Sequence, residues 1–310
     1  MVPALPDTAR IREVGPRDGF QNEPEIIATV DKIALIDRLA RTGITRIEAT
    51  SFVRADVVPQ LADAPQVLAG IDVPDGVSVS VLVPNERGLD AALDHRERFH
   101  EIGVFLSASE THNRKNVNRG VQPSMEALER VIPRARAAGL KVEAVIATSF
   151  GCPYEGRVSR ERVLALARRL IDAGAAEIGF GDTTGMANPL QVSAFFNEAL
   201  ARFDGEALIT AHFHNTRGQG LANAVAALQA GCASFESSVG ELGGCPVPAG
   251  ATGNIATEDL VSLLHEMGVS TGIDLDAMIG AAAAVRDVLG RPLGSHTLLA
   301  GPIRWHAGPG

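Results

Sequence analysis

The stretch AHFHNTRGQG, at 211 to 220, places two histidines two residues apart at the end of the run ALIT and directly ahead of a glycine turn. Side chains at i and i+2 of a strand share one face. His212 and His214 therefore project together from the last residues of a strand, with Phe213 turned the other way into an apolar layer. Two imidazoles converging in this way suit one metal ion. Far earlier in the chain, Arg17 and Asp18 sit among Gly15, Pro16 and Gly19, in a tight turn rather than on a solvated helix face. Asp18 with the two imidazoles makes a His, His, carboxylate set that leaves coordination positions open for substrate oxygens, and Asn254 could add a neutral oxygen. Glu48 lies in an otherwise apolar strand, where a carboxylate must be paired, bound or protonated. Pairing with an arginine and a part in the chemistry are both open readings for it.

Cys152, Cys232 and Cys245 are odd in number and widely spaced, so they form neither a disulfide framework nor a paired zinc-type spacing. Cys152 and Cys232 read as small buried hydrophobes. Cys245 differs because it lies in GELGGCPVPAGATGN, from Gly240 to Asn254, a glycine- and proline-rich stretch that reads as a mobile lid over the site.

A barrel supplies the scaffold these residues need. Strand-like runs occur at 9–14, 45–50, 77–83, 101–106, 141–147, 176–180, 207–213 and 233–237. Helical patterns separate them, most plainly at 29–43, 159–174 and 257–268, where Thr29, Ser159 and Thr257 read as N-caps and Gly43, Gly174 and Gly268 as stops. This alternation predicts a (β/α)8 TIM barrel over about 9–268, with a further C-terminal helical segment in 269–310, all in one domain of 310 residues. In such a fold the residues just after each strand share one rim, and Arg17, Asp18, Glu48, Asp182, Thr183, His212, His214, Cys245 and Asn254 all fall there.

Composition narrows the function class. A net charge of −9 with no block of Lys or Arg argues against nucleic acid or an anionic membrane as partner. No segment reads as a signal peptide or a membrane span, and a cytoplasmic location is expected.

Beyond these residue patterns, the chain resembles the 3-hydroxy-3-methylglutaryl-CoA lyases, metal-dependent aldolases of the TIM-barrel metallolyase family, over about residues 10–290. The resemblance rests on VGPRDGFQNE, IEATSFV with the following VPQLAD, VLVPN, SASE, RKNVN, GCPYEG, GDTTG, HFHNTRGQGLAN, and GGCP followed by GATGNIATEDLV. It implies that Asp18, His212, His214 and Asn254 ligate a divalent ion, Mg²⁺ or Mn²⁺, with no redox cofactor. It implies that Arg17 faces the thioester oxygen, that Glu48 assists proton transfer and that Cys245 is the loop thiol acting as acid or base. Gln21, Ser51, Asn116, Asp182 and Thr183 fall in matching motifs near the substrate. The implied reaction cleaves a branched 3-hydroxyacyl-CoA to acetyl-CoA and acetoacetate, as in leucine degradation and ketone-body formation, in a homo-oligomer of two or more chains. Four positions depart from the family pattern: Phe213, Asn215, Arg217 and Gly179. If positions 215 and 217 both face the site, the local charge changes by about two units and the accepted acyl group could differ. Rival readings are a lyase or synthase for another branched 3-hydroxyacyl-CoA, a metal-dependent hydrolase, and a barrel that only binds.

Overall fold

The computed structural model describes residues 5–244 and 253–305. Eight parallel strands close into a barrel: β1 (Arg10–Glu13), β2 (Arg46–Ser51), β3 (Ser78–Leu82), β4 (Glu101–Ser107), β5 (Lys141–Ala147), β6 (Glu177–Asp182), β7 (Leu208–Phe213) and β8 (Ser234–Ser237). They follow one another round the barrel in chain order, and β8 pairs with β1 to close it. Each coincides with a strand expected from the sequence. The outside carries α1 (Thr29–Ala40), α2 (Ala64–Gly70), α3 (Glu86–Leu93), α4 (Glu110–Val117), α5 (Val121–Ala137), α6 (Arg160–Ala173), α7 (Pro189–Arg202), α8 (Gly220–Gln229) and α9 (Thr257–Glu266). After them come α10 (Leu275–Leu289) and α11 (His296–Ala300), the expected C-terminal helical segment, with α10 packed against α1 and α9.

Local sequence explains these boundaries in part. Ser159 Oγ accepts from the Arg162 N–H at the start of α6, and Gly174 ends that helix in the left-handed region at φ +108°. Thr29 and Thr257 are not caps. Ala28 and Ala256 hold those positions without a side-chain bond, while the Thr29 hydroxyl donates to Asp63 Oδ2 and the Thr257 hydroxyl donates to Glu13 Oε2. In both cases a tertiary carboxylate outcompetes the local backbone for the hydroxyl.

Period-2 alternation along the strands divides apolar from polar residues in an unusual sense. Ile11, Ile47, Val79, Val104, Ile146, Ile178, Phe180, Ile209 and Phe235 are buried in the hydrophobic core. The other set faces the barrel axis, and it is ionic rather than the branched aliphatic filling common in such barrels. Every strand contributes. Arg12 of β1 is bound by Glu101 of β4, Glu143 of β5 and Glu177 of β6, and Arg46 of β2 also reaches Glu101 and Glu177. The Ser78 hydroxyl of β3 donates to Glu101, the Thr210 hydroxyl of β7 donates to Glu177, and Ser234 of β8 lies 2.8 Å from Thr210. Burial and the neighbouring carboxylates hold the Glu143 carboxyl well above its usual range, with Arg12 opposing.

Glu13 occupies the other face of β1. Its Oε1 accepts from the Gly15 and Val239 N–H groups and its Oε2 from Thr257, which joins β1, the end of β8 and the start of α9. Burial pushes its carboxyl from 4.5 up to about 7.

Two predictions follow from these buried charges. Arg12→Met removes the cation shared by the interior carboxylates and should cost about 3–5 kcal/mol in denaturant unfolding; a loss below about 1 kcal/mol would mean that the carboxylates simply take up protons. Because the folded-state value of Glu13 is raised, its contribution to stability is complete below 4.5 and is lost as pH rises through about 7. Glu13→Gln cannot lose a proton, so between pH 5 and pH 8 it should gain about 2 kcal/mol relative to the wild type. Parallel pH dependence of the two chains would rule Glu13 out as a titrating group.

Candidate metal centre

β1 runs directly into a wide helical turn, Gly15–Gly19, which brings Arg17 and Asp18 over the barrel mouth. A Cβ on Gly15 would lie 2.6 Å from Glu13 Oε1, so the turn and the Glu13 contact require a glycine together. Arg17 Nη1 donates to Asp18 Oδ1 at 2.8 Å and Arg17 Nε donates to Glu48 Oε2 of β2. The Glu48 strand carboxylate is thus paired with an arginine, and that arginine belongs to the site. Gln21 Nε2 also donates to Asp18 Oδ1, at 2.8 Å.

Across the mouth, β7 delivers His212, and His214 follows one residue beyond the strand end, bridged to Asn254. Asp18, His212 and His214 offer ligand atoms that all lie within 4.8 Å of one another. The two histidine Nε2 atoms are 3.0 Å apart. Phe213 turns away, fully buried against Phe150 and Phe196. Asn254 Nδ2 donates to Asp18 Oδ2 and to the Leu242 carbonyl, leaving its buried Oδ1 without a hydrogen-bond partner among the described residues. An anionic oxygen, two imidazole nitrogens and an orphaned amide oxygen, gathered this closely, fit a divalent cation that takes mixed oxygen and nitrogen ligands.

The charges are strongly coupled. Burial would raise the Asp18 carboxyl, but Arg17, His212 and His214 prevail and hold it down at about 2, so it is an anion at neutral pH. Burial beside His212 drives His214 down to about 3, which leaves its ring neutral and able to ligate. Burial works to lower His212, yet its bond to Glu236 and the charges of Glu236 and Asp18 raise it. Burial raises Glu48 against the pull of Arg17.

The remaining expected residues are more dispersed. Ser51 is buried at the end of β2 and forms part of a groove of about 910 Å³ that continues over Phe52, Arg54, Asn85, Arg87 and Arg119. Asn116 lies exposed on α4. Both Asp182 oxygens accept backbone N–H groups from Met186 and Ala187, and burial raises its carboxyl to about 7. Thr183 Oγ1 accepts from the Thr148 N–H. Asp182 and Thr183 therefore shape the loops around the mouth. Cys152 and Cys232 are buried, in keeping with structural roles. Cys245 and most of the expected lid lie outside the described residues, although the ends of that loop are described. A Cβ on Gly253 would lie 2.0 Å from the Glu241 carbonyl oxygen, and one on Gly243 would lie 2.7 Å from Asn254 Nδ2 and 3.3 Å from Asp18 Oδ2.

Asn215 and Arg217 do not deliver the charge change that would follow from their facing the metal group. Asn215 Oδ1 accepts from the Gly220 N–H at the start of α8, and the Arg217 guanidinium donates to the Thr184 and Gly185 carbonyls. Two residues that contact the site were not singled out from the sequence: Glu236, 2.9 Å from His212 Nδ1, and Arg12 beside it. The signal for Glu236 was its alternation with Ser234 along a strand that closes the barrel.

The HMGL-like family model matches residues 8–285. Hydroxymethylglutaryl-CoA lyase YngG of Bacillus subtilis is 47% identical over 293 residues, covering 94% of this chain and 97% of that protein. The hydroxymethylglutaryl-CoA lyase of Pseudomonas mevalonii is 42% identical, covering 91% and 92%. The crystal structure of the B. subtilis HMG-CoA lyase superposes with a TM-score of 0.92 over 95% of this chain and 98% of its own. An HMG-CoA lyase from Acinetobacter baumannii, in complex with coenzyme A and 3-methylmalate, is 38% identical with a TM-score of 0.91 over 98% of both chains. By matched length, sequence identity and barrel geometry together, the chain belongs to the HMGL-like family.

Proposed function

We propose that the protein is a divalent-metal-dependent lyase that cleaves 3-hydroxy-3-methylglutaryl-CoA to acetyl-CoA and acetoacetate. The observation that carries this reading is the convergence of Asp18, His212 and His214 beside the Arg17–Glu48 pair at one barrel mouth. Asp18, His212, His214 and Asn254 would hold Mg²⁺ or Mn²⁺. When bound, the ion supplies Lewis acidity that makes the substrate's tertiary hydroxyl easier to deprotonate.

The chain's own groups account for the rest of the chemistry. Breaking the C2–C3 bond removes the hydroxyl proton and leaves the bonding pair on the acetyl carbon as an enolate. Arg17, held by two carboxylates, is a fixed cation for the thioester oxygen on which that charge settles. Glu48, whose carboxyl burial raises against the pull of Arg17, stands beside that arginine as the carboxylate placed to exchange a proton with the substrate. Gly243 lies close to Asp18 and Asn254, and Cys245, two residues later in the sequence, would protonate the acetyl carbon through its thiol. Ser51 and the arginine-bearing groove beside it offer a path for the coenzyme arm, with Gln21 and Asp182 bordering the mouth.

Incubation of the chelated protein with 3-hydroxy-3-methylglutaryl-CoA, with and without added Mg²⁺ or Mn²⁺, should yield acetyl-CoA and acetoacetate in equal amounts only when metal is present. Intact thioester in the presence of bound metal would point to a different branched 3-hydroxyacyl-CoA. Arg17→Gln should lower kcat by about 10²–10³-fold, and Cys245→Ala by about 10²–10⁴-fold with an unchanged melting temperature. Near-normal turnover in the cysteine variant would refute the thiol's role and leave the metal set standing.

A further inference from the structure

Residues of three neighbouring strands stand in register across the barrel wall: Arg12 of β1 opposite Glu236 of β8, and Glu236 opposite His212 of β7. We infer that Glu236 is the positioning residue for His212, fixing the tautomer and ring plane that present Nε2 to the metal, and that Arg12 anchors Glu236 in turn. The inference rests on the metal-ligand reading of His212 given above.

The geometry supports each link. Glu236 Oε2 lies 2.9 Å from His212 Nδ1. An ionised carboxylate can only accept, so Nδ1 carries a hydrogen, and in the neutral ring that ligation requires the Nε2 lone pair faces His214 Nε2 and Asp18. Glu236 has little freedom to turn away, being 3% exposed, with Arg12 Nε 4.0 Å from its Oε1. Arg12 is itself gripped by Glu101, Glu143 and Glu177 from the far side of the barrel. His214 provides the contrast. Its Nδ1 is buried and has no hydrogen-bond partner among the described residues, so only the contact between its Nε2 and His212 Nε2 bears on its tautomer. One imidazole of the pair is therefore oriented by a carboxylate at Nδ1 and the other is not.

Outer carboxylates of this kind change metal affinity about 10–100-fold when removed, whereas a purely structural ion pair would change stability alone. The test compares full-length wild type, Glu236→Ala, Glu236→Gln and His212→Ala by calorimetric titration with Mn²⁺. Histidine ¹⁵N spectra of the metal-free wild type are recorded alongside. Glu236→Ala should weaken Mn²⁺ binding about 10–100-fold. Glu236→Gln, whose amide oxygen can still accept from Nδ1, should recover part of that loss. At a pH where the His212 ring is neutral, the wild-type spectrum should place its proton on Nδ1.

Wild-type affinity in Glu236→Ala, combined with lost binding in His212→Ala, would overturn the positioning role and keep the metal set. Unchanged affinity in every variant would instead overturn the metal-ligand reading. If Glu236→Ala does not fold, the wild-type spectrum decides: a proton on Nε2 with Nδ1 bare excludes the inference.

Discussion

The guanidinium of Arg12, buried on the axis of the barrel, is the contact on which the interior depends. A charge taken out of water is tolerated only when its partners replace the lost hydration in good geometry. Arg12 meets that condition with carboxylates from three other strands, and Arg46 shares two of them. Carboxylates still outnumber the two arginines, and the upward shift at Glu143 and Glu177 is how the interior accommodates the excess. Filling the axis with ions leaves the aliphatic side chains of the strands for the opposite face, under the helices. Helix packing and interior polarity are thus two consequences of one alternation.

The same interior leads without a break to the chemistry at the mouth. Glu236 lies between Arg12 and His212, and Glu48 lies close enough to Arg12 and Glu236 to sense both, while bonding Arg17. Arg17 divides its donors between Glu48 and Asp18, and Asp18 divides its acceptors among Arg17, Gln21 and Asn254. No member of this set can move far without uncovering another buried charge. Such mutual constraint is what a metal site needs from its surroundings, because ligand atoms must be in place before the ion arrives.

Much of this was legible in the sequence because it is encoded locally. Strand and helix alternation gave the barrel, and the His-x-His spacing at the end of β7 placed two ring nitrogens together, as they are found. Asp18 and Asn254 were legible as rim residues, since the rim collects whatever follows each strand. The caps at Thr29 and Thr257 were misread because their hydroxyls answer to Asp63 and Glu13, partners distant in sequence. Glu236 and Arg12 escaped notice for a related reason. A polar residue alternating with apolar ones looks like a solvent-facing position, and only closure of the barrel turns that face inward, where each charge must find its partner across the axis.

The departures from the family pattern can be sorted by the same geometry. Phe213 extends an aromatic cluster with Phe150 and Phe196, Asn215 serves the first turn of α8, and Arg217 ties the loop after β7 to the loop after β6. These three act behind or beside the metal group rather than within it. Gly179 is different, because it faces the interior opposite Val145. A Cβ there would meet Val145 Cγ2 at 3.1 Å and Glu143 Oε1 at 3.4 Å. Glu143 Oε1 is buried without a hydrogen-bond partner among the described residues. Of the four departures, Gly179 is therefore the one that borders the ionic interior directly.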